Sequence, residues 1–187
     1  MNISAVLLAG GESRRMGQDK ATLVFHEKPL WEVQLDLLRK LRPKEIFLSA
    51  RSDPVWRPAD VHFVPDQTPS RGPLSGLAAT LALIQTDHLI ALAIDMPLMT
   101  DDFFRSLCDV IKPSCGGVPM IGDRAEPLAA IYPKSAHSDV STALSGPDFS
   151  LQSLAKKLIA GGKLCLVSVS RNEERYFRNL NKPGDFA

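Results

Sequence analysis

The segment Leu7-Leu8-Ala9-Gly10-Gly11-Glu12-Ser13-Arg14-Arg15-Met16-Gly17-Gln18-Asp19-Lys20 carries an apolar run into a glycine pair and then past three cations. The apolar run begins at Ile3 and reads Ile-Ser-Ala-Val-Leu-Leu, short and cut off abruptly by glycine. That is the pattern of a central parallel strand buried on both faces. Glycine lets a backbone bend tightly and bare its N–H groups, and Arg or Lys beside it adds positive charge. At the end of a buried strand this combination holds an anionic phosphate chain. A nucleoside triphosphate site is the reading it favours; a tight turn with solvated charges is the alternative.

Outward from this segment, strand and helix patterns alternate. Leu30, Val33, Leu37 and Leu41 recur at helical spacing, opened by Pro29 and closed by Pro43. Residues 45–49 read as a second buried strand, 52–60 as loop and 61–64 as a short strand ending at Pro65-Asp66. Turn formers at 68–73 lead into a helix over 74–85 that is apolar nearly all round and so expected to be buried. Residues 88–94 form the most strand-like run, ending at Asp95-Met96-Pro97. Asp101 and Asp102 open a helix reaching residue 111, their charges favourable at its N-terminus. Residues 116–121 and 127–132 are expected to pair across Gly122-Asp123-Arg124. Helices follow at 135–144 and 151–159, then strand candidates at 164–169 and 176–180. This alternation predicts an α/β sandwich on a mainly parallel sheet. Ligands of such sheets sit outside the carboxyl ends of the strands. Gly10-Gly11, Asp66 and Asp95 would then face one crevice.

Composition narrows the function classes. The chain has 187 residues, a size that suits one domain, and a net charge of +1, too little for a broad nucleic-acid or membrane footprint. The N-terminal apolar run is too short for a membrane span, so neither a signal peptide nor an anchor is expected. Cys108, Cys115 and Cys165 are odd in number and lack CxxC spacing, which argues against a disulfide framework or zinc knuckle and for a reducing cytoplasm.

The common phosphate motifs fail. A Walker loop needs G-x4-G-K-[ST], but Lys20 follows Asp19; a dinucleotide fingerprint needs G-x-G-x-x-G, but the glycines stand at 10, 11 and 17. Ser75 does not sit in a G-x-S-x-G elbow. His26, His62, His88 and His137 have no metal-ligand spacing. Asp95 remains. A carboxylate closing an apolar strand is costly to desolvate unless it meets a cation or hydrogen-bond donors. Mg2+ shared with substrate phosphates and a turn or capping aspartate are both open readings.

The run Leu8-Ala9-Gly10-Gly11-x-Ser13-x-Arg15-Met16-Gly17-x-Asp19-Lys20-Ala21 resembles the signature of the molybdenum cofactor guanylyltransferases, within the nucleotidyltransferase superfamily. Lys28-Pro29-Leu30, Arg71-Gly72-Pro73-Leu74-x-Gly76 and Asp95-Met96-Pro97 continue the resemblance. So do Glu126-Pro127-Leu128-x-Ala130-x-Tyr132 and Asn179-x-Asn181-x-Pro183-x-Asp185, although Gly184 replaces the acidic residue usual between Pro183 and Asp185. The order of these motifs along nearly the whole chain argues against chance.

The resemblance implies a single domain over residues 1–187, a three-layer α/β/α sandwich with a Rossmann-like sheet. Residues 1–100 would form a nucleotide-binding half and 101–187 an acceptor-binding half. Leu8, Ala9, Gly10 and Gly11 would hold GTP. Lys20 would pair with the triphosphate, Asp66 would lie against the nucleotide, and Asp95 would bind Mg2+. Arg15 would stabilise the departing pyrophosphate, giving Arg15, Lys20 and Asp95 as the catalytic set. Arg124, Glu126, Asn179 and Asn181 are the acceptor-side expectations. The substrates implied are GTP and molybdopterin, with transient contacts to molybdenum-insertion proteins or molybdoenzyme apoproteins. Leu-Ala-Gly-Gly, where cytidylyltransferase and isoprenoid relatives carry Leu-Ala-Ala-Gly, favours guanine. The alternatives are a relative using CTP or another phosphorylated acceptor, and a catalytically idle binding module.

Overall fold

The computed structural model describes residues 2–10, 19–66 and 70–180. Every position of β1 (Ile3–Leu8) is buried, as a strand apolar on both faces requires. There follow β2 (Val24–Phe25), β3 (Lys28–Pro29), α1 (Leu30–Lys40), β4 (Ile46–Ala50) and β5 (His62–Pro65). Next come α2 (Pro73–Leu83), β6 (His88–Ala93), α3 (Asp101–Val110), β7 (Gly116–Ile121), β8 (Arg124–Ala125) and β9 (Ala129–Pro133). The described chain closes with α4 (His137–Ser145), α5 (Leu151–Ala160) and β10 (Leu164–Ser168).

The main sheet runs β10-β7-β9-β6-β1-β4-β5, with β8 beside β7. β1 pairs in parallel with β4 on one side and β6 on the other, and β4–β5 and β7–β10 are parallel too. Only β9 and the short β8 run against them. The chain leaves β1 toward β4 and β5, then returns through α2 to β6 on the opposite flank. β1 is therefore the strand at which the winding reverses, and its carboxyl end opens a crevice between β4 and β6.

Alternation along the central strands sorts the core into two layers. Ile3, Ala5 and Leu7, with Ile90 and Leu92, pack with Leu35 and Leu38 of α1 and Phe104 and Leu107 of α3. Val6 and Leu8, with Leu89 and Ala91, pack with Leu74 and Leu77 of α2, Val140 of α4 and Leu158 of α5. The result is the expected three-layer sandwich. No helix among the described residues is long and apolar enough to cross a membrane.

One expectation needs correction, and two features of the strands add to what the sequence suggests. Residues 176–180 do not form a strand: Glu174–Phe177 is a 3-10 turn, and Phe177 drives its ring edge-on against Phe103, 5.2 Å between centroids. The expected antiparallel pairing of β7 with β9 is present, but the short β8 also pairs with β7 across Gly122-Asp123, and β9 pairs over a longer stretch with β6. Finally, β2 and β3 form a small hairpin turning at His26 and Glu27, both at positive φ. Such a turn ordinarily announces itself with Asn-Gly or Gly-Gly, so this one carried no sequence signal.

The cysteines are free, but two of them are not apart: Cys115 Sγ lies 2.6 Å from Cys165 Sγ, because the β7–β10 pairing joins segments far apart in the chain. Burial first, and then the neighbouring Cys165 thiol, pushes Cys115 up to about 11.

Tyr132 shows how one motif residue serves the fold. Fully buried in β9, it donates its hydroxyl to the carbonyl of Pro127 at 2.8 Å and so fixes the turn that leads into that strand. Replacing Tyr132 with Phe leaves this carbonyl without its donor, at an expected cost of about 1–2 kcal/mol, measurable by urea denaturation.

Candidate functional site

At the end of β1 the backbone makes two close contacts with β4. The N–H groups of Ala9 and Gly10 both donate to the carbonyl of Ser49, at 2.9 and 3.1 Å. β5 ends beside them, where the Asp66 N–H donates to the carbonyl of Ala50 at 3.0 Å. Asp66 thus stands over Gly10, and a Cβ on Gly10 would collide with its carboxylate. A side chain at position 10 could fit only if the Asp66 carboxylate shifted away.

Asp66 is held from below as well. The buried Ser49 hydroxyl donates to Asp66 Oδ1 at 2.8 Å, and Ser70 approaches Oδ2 at 3.5 Å. Ser49 in turn needs Gly76, where a Cβ would strike its hydroxyl. The glycine of the second loop therefore lets α2 close onto β4 and leaves room for the serine that orients Asp66. By resemblance Ser49 stands where the family often carries an asparagine, which left its contact with the nucleotide open; its hold on Asp66 gives no signal in the sequence.

On the other flank of β1, Ile94 donates its N–H to the carbonyl of Leu8 at 3.1 Å, which sets Asp95 beside the end of β1. Lys20 Nζ lies 2.9 Å from Asp95 Oδ2, with the two side chains 20% and 21% exposed. Lys20 opens a 3-10 turn, Lys20–Thr22, capped by Asp19, whose Oδ1 accepts from the Ala21 N–H at 3.0 Å. Buried Ala21 anchors this turn in the core.

The acceptor-side residues fall on the same rim. Leu128 accepts from the Ala93 N–H at 2.8 Å, so the turn before β9 meets the end of β6. Glu126 lies in that turn, its side chain 15% exposed and 3.7 Å from the exposed Arg124 guanidinium. Burial raises the Glu126 carboxyl above its ordinary range, while Arg124 works against that shift. Asn179 is exposed, and its neighbour Leu180 donates to the carbonyl of Asp95 at 3.0 Å. Leu8, Ala9, Gly10, Lys20, Asp66, Asp95, Glu126 and Asn179 are thus drawn to one edge of the sheet. Gly11, Arg15 and Asn181 lie outside the described residues.

Among the described residues no cluster of three His, Cys, Asp or Glu side chains forms a cage made wholly by protein. What the rim offers is a partly exposed Asp95 carboxylate beside a lysine. Mg2+ in phosphate chemistry takes one or two carboxylates and completes its shell with phosphate oxygens and water. The donor set fits a metal that arrives with a nucleotide.

Gly10 at the end of the switch-point strand, with the Lys20–Asp95 pair beside the end of β6, is an arrangement that fits a nucleotidyltransferase. The comparisons with known proteins agree. The chain belongs to the family of the MobA-like NTP transferase domain, which matches residues 5–161. It is 32% identical over 186 residues to a probable molybdenum cofactor guanylyltransferase of Opitutus terrae, covering 98% of this chain and 92% of that one. The molybdenum cofactor guanylyltransferase of Xanthomonas euvesicatoria is 31% identical over 183 residues, covering 96% and 90%. Among solved structures, the molybdopterin-guanine dinucleotide biosynthesis protein A of Archaeoglobus fulgidus superposes with a TM-score of 0.75 at 22% identity, over 98% of this chain and 94% of that one.

The contact between Gly10 and Asp66 yields a test. A Gly10→Ala substitution is expected to force the Asp66 carboxylate aside, lowering stability by about 1–3 kcal/mol as for other overpacked sites. Nucleotide affinity should fall with it, and adding Asp66→Ala to Gly10→Ala should restore part of the lost stability in urea unfolding.

Proposed function

We propose that this chain transfers GMP from GTP to the terminal phosphate of molybdopterin, forming the guanine dinucleotide and releasing pyrophosphate. The observation that carries the reading is the Lys20–Asp95 pair standing at the carboxyl edge of β1 and β6, beside Gly10 and Asp66. Family membership and the names of its relatives supply the substrate class.

The attacking group is already an anion, so no side-chain nucleophile is required. A molybdopterin phosphate oxygen forms a bond to the α-phosphorus of GTP in line, as the bond to the bridging oxygen breaks and pyrophosphate leaves with the electron pair. The protein's task is to hold two anions together and offset their repulsion. Main-chain atoms of Leu8, Ala9, Gly10 and Gly11 seat the nucleotide, and Asp66 lies against it. Lys20 contacts the triphosphate, and Arg15 stabilises the charge that builds on the leaving pyrophosphate. Asp95 would hold Mg2+, which when bound neutralises phosphate charge and polarises the phosphorus–oxygen bonds.

In this reading residues 1–100 serve the nucleotide and residues 101–187 the acceptor, through Arg124, Glu126, Asn179 and Asn181. The enzyme acts in the cytoplasm, where molybdenum-insertion proteins or apoenzymes meet it transiently.

The test is pyrophosphate release from GTP and molybdopterin. Wild-type protein should turn over with Mg2+ and stop with a chelator. Asp95→Asn should lower the rate by roughly a hundredfold or more with little loss of stability. Normal turnover in that variant would make Asp95 merely a residue of the turn.

A further inference from the structure

The loop between β4 and β5 offers no sequence motif, yet it reaches Asp19 at the head of the turn that carries Lys20. Trp56 lies in it, half-buried, and stacks on Trp31 of α1 with ring centroids 5.5 Å apart and planes 14° from parallel. Its indole N–H donates to Asp19 Oδ2 at 3.0 Å. The other oxygen of that carboxylate caps the turn carrying Lys20, by accepting from the Ala21 N–H at 3.0 Å. Asp19 is therefore bound at both oxygens: one faces the loop and the other faces the turn. Trp56 also walls a cleft of about 150 Å3, with Pro54, Arg51 and Ala50 on its side and Gly10 and Asp19 across from it.

We propose that Trp56 is a positioning residue for the nucleotide: through Asp19 it fixes the turn that presents Lys20 to Asp95 and to the incoming triphosphate. The stack on Trp31 prevents the indole from swinging away, because α1 packs into the core through Leu35 and Leu38. A carboxylate held from two sides cannot follow the loop outward without releasing the Ala21 N–H. The proposal rests on the nucleotidyl-transfer reading only for its last link, from Lys20 to the triphosphate.

Trp56→Phe removes the donor and keeps a ring to stack on Trp31. Two measurements on the full chain separate the links. Without nucleotide, the amide hydrogen of Ala21 should exchange about fivefold to tenfold faster in this variant, while the melting temperature stays close to that of the wild type. With Mg2+ and GTP, calorimetry should give an affinity about fivefold to tenfold weaker, and Trp56→Phe should add nothing further in an Asp19→Ala background. Unchanged exchange at Ala21 would overturn the proposal, as would additive losses in the double variant. If the wild-type chain bound no GTP, the functional reading would fall, and the exchange experiment would still decide whether Trp56 holds the turn.

Discussion

Lys20 and Asp95 come from opposite kinds of structure. One sits on a 3-10 turn after the glycine loop and the other at the end of a fully buried strand, yet their charged groups meet at 2.9 Å. Neither side chain is freely hydrated. A lone carboxylate or ammonium in such surroundings would carry a desolvation penalty, and the pair offsets it for both. In the proposed reaction each exchanges its partner for a ligand of the same sign, the lysine taking phosphate and the aspartate a metal cation. Opposite charges kept close together before the substrate arrives are a form of preorganisation.

The rest of the molecule keeps these two groups in register. The hydrogen bond from Ile94 to Leu8 ties the Asp95 turn to the end of β1, and Leu180 fastens the C-terminal segment to the carbonyl of Asp95. Ser49 and Gly76 hold Asp66 on the opposite flank, where its carboxylate takes the space a side chain on Gly10 would enter. These contacts sit on a sheet whose central strands β1 and β6 are buried along their whole length. The rim around the turn before β9 is built differently: Arg124 is exposed and Glu126 is held half-buried beside it.

The main strands and helices of the first hundred residues were legible because each is an apolar run or a helical stripe bounded by glycine or proline. β1 falls at its expected bounds, and α1, α2 and β6 lie within a residue or two. Legibility failed where tertiary contact decides conformation. The hairpin at His26-Glu27 lacks turn residues, and residues 176–180 look like a strand only until Phe177 turns toward Phe103. In the site, Lys20, Asp66 and Asp95 were visible as chemistry at strand ends. Ser49, Trp56 and the capping role of Asp19 were not, because each acts through a partner distant in sequence.

The most direct test of the account is a calorimetric titration of the wild-type chain with GTP and CTP, each with Mg2+ and with a chelator in its place. The account predicts that GTP binds more tightly than CTP and that its affinity drops when the metal is removed. GTP binding that is indifferent to Mg2+, or tighter binding of CTP, would contradict it.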